Sequence, residues 1–82
     1  MNHVIQNIVT QERETLPKYV VVRDWLARRI NAGEIQPGSR LPSEHSLVAK
    51  FGVSRVTVRH ALDALKKSGM VESHQGQGHF VR

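Results

Sequence analysis

The sequence predicts an α+β fold of three helices followed by a C-terminal β-hairpin. Three observations carry that prediction. Apolar residues recur at helical spacing in three stretches between Pro17 and Ser68. Gly33, Gly52 and Gly69 stand where those stretches end. After that the pattern turns extended, with Met70-Val71 and Phe80-Val81 bracketing Gln75-Gly76-Gln77-Gly78 as a hairpin with a flexible tip.

Residues 1–15 read as an N-terminal arm. Val4, Ile5, Ile8 and Val9 have helical spacing, so the arm is either a short helix or a frayed tail. The domain proper spans residues 16–82. Its first helix follows Pro17, which suits a first turn because its missing N–H has no partner there anyway. Tyr19, Val22, Leu26 and Ile30 form one apolar stripe, flanked by Trp25. Tyr19 and Trp25 are therefore expected in or near the core. Pro37-Gly38 is a turn dipeptide, and Pro42 biases Leu41 towards extended backbone, so Arg40-Leu41 is a candidate very short strand. Ser43 is a candidate N-cap of the second helix, and Glu44 suits the positive end of its dipole. That helix runs to about Phe51, with Leu47, Val48 and Phe51 inward. Ser54 caps the third, which runs from Arg55 to about Ser68 and buries Val58, Ala61, Leu62 and Leu65.

The 82 residues carry 12 Lys+Arg, 7 Asp+Glu and no cysteine. Length limits the chain to one small domain and excludes large catalytic folds. The lack of cysteine excludes disulfides, thiolate zinc sites and cysteine nucleophiles. No apolar run approaches the roughly 18 residues of a membrane span. Met1 to Thr10 carries no Lys or Arg, unlike a secretory signal. The chain thus reads as a cytoplasmic domain with no membrane association. Its net charge of +5 points to a polyanionic partner. Residues 1–38 hold five basic and four acidic side chains, whereas residues 39–82 hold seven and three. The polyanion surface is expected in the second half.

Two short helices separated by Gly52-Val53-Ser54 form a helix-turn-helix signature. Gly52 supplies the left-handed backbone of the turn. With Val58 set at zero, Arg55, Lys66 and Arg59 fall on a strip about 40° wide beside the core face of the third helix. The strip starts at the helix N-terminus, the end that helix-turn-helix proteins present to the major groove. An arginine there can donate two hydrogen bonds to guanine O6 and N7. Ser54 and Thr57 can reach phosphates beside a helix N-terminus.

Three ordered segments carry a resemblance: Gly38-Ser39-Arg40-Leu41-Pro42-Ser43-Glu44, Phe51-Gly52-Val53-Ser54-Arg55-Val56-Thr57-Val58-Arg59 and Gln75-Gly76-Gln77-Gly78-His79-Phe80-Val81. Together they resemble the DNA-binding domain of GntR-family bacterial transcription regulators over residues 17 to 81. The closing segment looks most like the HutC subfamily. The resemblance implies a winged helix-turn-helix with the third helix in the major groove and the hairpin wing at the neighbouring minor groove. By motif position it implies Arg55 and Arg59 as base readers, and Ser54 and Thr57 on phosphates. It places Arg40, Ser43 and His45 at the DNA from the second helix and the loop before it. The wing set is Gln75, Gly76, Gln77, Gly78 and His79, with Gly76 letting the backbone approach DNA. It further implies a short inverted repeat of double-stranded DNA as target and a homodimer in the full-length protein. A C-terminal domain, not contained in these residues, would bind a small-molecule effector. The usual role in the family is repression.

The sequence departs from the family pattern at several places. His45 stands where an arginine is common, and His79 where threonine is common. Ser73, His74 and Gln77 replace residues that are often basic, and Val48 takes a position usually held by alanine. The wing is therefore expected to contribute less salt-dependent affinity than is usual.

Other readings compete. The five histidines (His3, His45, His60, His74 and His79) lack Cys partners and His-x-x-x-His spacing. His74 and His79 could approach each other across the hairpin, but two ligands are too few for structural zinc. Surface imidazoles are the simpler reading, and His45, His74 and His79 would gain charge near phosphates. Gly76-x-Gly78 lacks the Lys-Ser/Thr pair of a phosphate loop. No nucleophile–base pair suggests an enzyme, and no cofactor or metal is implied. A winged-helix protein-interaction module and a non-specific nucleic-acid binder remain as alternatives to sequence-specific DNA binding.

Overall fold

The computed structural model describes residues 16–82. The arm, with its spacing at Val4, Ile5, Ile8 and Val9, lies outside the described residues. Three helices come first: α1 (Lys18–Asn31), α2 (Glu44–Phe51) and α3 (Arg55–Lys67). Two antiparallel strands follow, β1 (Val71–His74) and β2 (Gly78–Val81). The order and kind of elements match the α+β expectation, and the hairpin forms the wing of a winged helix-turn-helix.

Local chemistry sets each helix end. Pro17 precedes the first helical residue with extended backbone, one position outside the first turn where the sequence suggested it. The Ser43 hydroxyl accepts from the Ser46 amide at 3.1 Å, and the Ser54 hydroxyl from the Thr57 amide at 3.1 Å. Each cap satisfies an amide that lacks an intrahelical acceptor. Gly52 ends α2 in the left-handed region at φ +64°. A side chain there would be strained, so the tight turn into α3 depends on glycine. The ends of α1 and α3 share one bonding pattern. The Glu34 amide donates back to the Arg29 carbonyl and the Met70 amide to that of Leu65.

The core gathers on α3. Its Val58, Ala61, Leu62 and Leu65 are all buried, as their spacing predicted. They meet Val22 and Leu26 of α1, Leu47 of α2, Leu41 of the loop, Val71 of β1 and Val81 of β2. Tyr19, Trp25 and Ile30 pack around the rim, as do Val48, Phe51 and Val53. Burying one such Val or Leu contributes about 1.5–3 kcal/mol. Helix α3 is thus held from three sides, which leaves only its outer face free.

The wing is tied to the α1–α2 loop. Its register pairs Val71 with Val81, Glu72 with Phe80, Ser73 with His79 and His74 with Gly78. Arg40 forms a single bridge with Phe80, where the sequence placed a very short strand. The Leu41 amide donates to the His79 carbonyl at 2.8 Å, and the Val81 amide to the Ser39 carbonyl at 2.9 Å. The Gln77 amide donates to the His74 carbonyl at 2.9 Å and closes the tip. Side chains alternate across a strand. Val71, Ser73, His79 and Val81 therefore face the helices, while Glu72, His74 and Phe80 share the other face.

Candidate nucleic-acid interface

Three exposed segments converge on the outer side of α3: its own first turns, the start of α2 and the wing. Helix α3 presents Arg55, Val56 and Arg59 to solvent from its first two turns. Lys66 is also exposed but belongs to the last turn. The strip is therefore not a row of three free cations. Arg59 Nε donates to both carboxylate oxygens of Glu44, at 3.2 and 3.3 Å. Only the α3 end of that pair is well exposed, at 63% for Arg59 against 29% for Glu44. Among the described residues, Arg55 has no ion-pair partner and reaches outward from the first residue of α3.

Ser54 and Thr57 sit at the same helix end. Their hydroxyls lie 3.0 Å apart, and the Ser54 oxygen also takes the Thr57 amide. Both are thus anchored by the cap. Ser54 remains exposed and Thr57 half-buried. Ser43 caps α2 in the same way, and His45, two residues on, is exposed.

Arg40 is held over the wing. A Cβ added to Gly78 would lie 3.0 Å from Arg40 Nε and 3.4 Å from one terminal nitrogen. Gly78 also has φ +110°, so its backbone and its neighbour both require glycine. Gln75, Gly76 and Gln77 form the exposed wing tip.

His79 behaves differently from the expectation of a surface imidazole. It is half-buried and lines one cleft with Glu44, Val56, Arg59 and Asp63. Burial is the largest influence and holds its imidazole below the ordinary value of 6.5. Glu44 opposes that shift, Lys66 adds to it and Asp63 opposes it. His74 points away from His79, because the register puts them on opposite faces of the hairpin. Its Nε2 lies 2.9 Å from Glu72 Oε1, and its ring lies 4.6 Å from Phe80. The two rings therefore do not approach each other across the hairpin. His60 is exposed yet stacked on Tyr19, with ring centroids 3.6 Å apart and 13° between planes.

Two features of this surface lie outside the residues that the sequence points to. The sequence marks Glu44 only as a dipole partner, and its bond to Arg59 joins residues on different helices with no local spacing to announce it. Val56 sits inside the recognised Ser-Arg-Val-Thr motif but was not singled out. Its signal was present: with Val58 at zero, its helical position lies about 160° away, nearly opposite the core.

Among the described residues, no group of three or more His, Asp or Glu could hold a metal ion. No helix among them is long and apolar enough to cross a membrane.

The helix-turn-helix, its exposed cationic first turn and the wing beside it define a winged-helix DNA-binding architecture. The family described as "Bacterial regulatory proteins, gntR family" matches residues 18–81, and the chain belongs to that family. It is 46% identical over 66 residues to the mannosyl-D-glycerate transport/metabolism system repressor MngR of Escherichia coli K12, covering 80% of this chain and 28% of that protein. It is 42% identical to the histidine utilization repressor of Klebsiella aerogenes, covering 79% and 27% respectively. A solved structure described as AraR(DBD) in complex with operator ORR3 is 43% identical and superposes with a TM-score of 0.81, covering 83% of this chain and 82% of that one. The chain thus spans less than a third of the length of these curated relatives.

Proposed function

We propose that this chain is the sequence-specific DNA-binding part of a bacterial transcription repressor of the HutC subfamily. The observation that carries the reading is the first turn of α3. Among the described residues Arg55 has no ion-pair partner, it stands at a capped helix N-terminus, and the apolar face of the helix is locked into the core. Such an end favours phosphates around it, while its arginines reach base edges. Helix α3 then occupies the major groove and the wing tip Gln75-Gly76-Gln77 the adjacent minor groove. Arg59 serves as the second base reader, oriented by Glu44. Arg40, Ser43, His45, Ser54, Thr57, Gly78 and His79 line the surrounding backbone contacts.

The match to a histidine utilization repressor and the closing Gln-Gly-x-Gly-x-Phe-Val segment support the subfamily. The likeness to AraR(DBD) structures with operators ORR3 and ORE1 supports double-stranded DNA as the partner. The full-length protein is read as a cytoplasmic homodimer on a short inverted repeat, with a C-terminal domain that binds a small-molecule effector. No catalytic role is assigned.

The test is selection from a random DNA pool, followed by salt titration on the winner and a scrambled control. An enriched inverted repeat, with preference lost on Arg55→Ala, is the expected result. Equal, steeply salt-dependent binding to both DNAs would reduce the chain to an electrostatic binder.

A further inference from the structure

Val56 is 76% exposed, the most exposed large apolar side chain among the described residues. Single exposed apolar residues are common on surfaces. The placement of this one gives it a meaning. It is the second residue of α3, between Arg55 and Arg59, and it points almost straight away from the core. Valine is a poorer helix former than Ala, Lys or Glu at an exposed site, so local stability does not favour it there. It also edges the cleft that holds Glu44 and Arg59. A stiff, branched apolar group thus stands on the outermost line of the helix, with both guanidinium groups on one flank of it, about 60° and 100° round the helix.

Two arginines supply donors for guanine, and neither can read a methyl group. In the major groove, the C5 methyl of thymine is the apolar feature a base pair offers. We propose that Val56 reads the C5 methyl of a thymine beside the guanine contacted by Arg59. This inference rests on the placement of α3 in the major groove. Residues three apart on a helix stand about 5–6 Å apart at Cβ. Base pairs are spaced about 3.4 Å apart along a strand. The thymine therefore lies within about two base pairs of that guanine.

The experiment uses the 82-residue chain and its selected DNA site. Each thymine of the site is replaced in turn by deoxyuridine, which removes the C5 methyl and nothing else. Affinity is measured for the wild type and for Val56→Ala. One thymine per half-site is expected to matter: its replacement weakens the wild type about fourfold, the scale of burying one methyl group. The same replacement leaves Val56→Ala unchanged. A thermal melt confirms that the variant folds, since the site is exposed. If no thymine is sensitive, or if the variant is equally sensitive, the inference fails while the DNA-binding reading stands. If no sequence is enriched at all, the DNA-binding reading fails first and takes this inference with it.

Discussion

Arg59 Nε lies 3.2 and 3.3 Å from the two carboxylate oxygens of Glu44, so the first turn of α2 holds an arginine from the second turn of α3. The pair links the two helices of the helix-turn-helix across their exposed side. Its worth to stability is small, about 0–1 kcal/mol for an exposed pair. With Arg59 as the proposed base reader, the pair also serves recognition, because an arginine held in one place loses less freedom when it meets a base. Glu44→Gln should therefore leave the melting temperature almost unchanged. It should raise affinity for scrambled DNA, since a negative charge is lost, and lower the ratio of specific to scrambled affinity. Fluorescence anisotropy on both DNAs checks this. An equal rise on both would show that Glu44 acts only through its charge.

Gly78→Ala tests how the wing is fastened. The new Cβ would meet Arg40 Nε at 3.0 Å, on backbone at φ +110°. Strain of this kind costs about 1–3 kcal/mol. Adding Arg40→Ala removes the contact but not the backbone strain, so it should restore part of the lost melting temperature. Full restoration would mean that the contact alone matters, and no restoration that the backbone alone does.

Ser54 caps α3 and is proposed to meet phosphate as well, and different substitutions separate the two. Ser54→Ala removes the cap on the Thr57 amide and should cost about 0.5–2 kcal/mol in denaturant melts. Ser54→Asp keeps an N-cap acceptor, so stability should hold. Its carboxylate would face the phosphates, and DNA affinity should fall well below that of Ser54→Ala. Retained affinity in Ser54→Asp would place this helix end away from the backbone.

Much of the fold was legible because its determinants are local. The α3 core face followed from spacing alone, and the caps at Ser43 and Ser54 from one side chain and one amide three residues on. Pro42 announced the extended backbone at Leu41, although its place in the core depends on contacts from distant elements. What stayed hidden is tertiary. The Glu44–Arg59 bond and the Tyr19–His60 stack join separate helices, and no periodicity encodes them. His74 is a surface imidazole as expected, whereas His79 is half-buried because hairpin register decides faces, and a slip of one residue would reverse them.

His79 makes the behaviour of the wing depend on pH. Burial holds its imidazole below 6.5 in the folded chain, so the folded state favours the neutral ring more than the unfolded state does. The stability this contributes is present above the unfolded value and is lost as pH falls through the folded one. Melting temperature should therefore drop below about pH 6.5 in the wild type, and drop less in His79→Gln. Proton NMR titration of the His79 ring locates the midpoint directly. Above pH 7.5 the ring is neutral and lends no charge to DNA binding. Replacing His74 and His79 together by alanine should then change DNA affinity by less than tenfold, about 1.4 kcal/mol. A larger loss at that pH would show that the wing histidines contact DNA directly, and that the low charge of this wing does not make it a minor contributor.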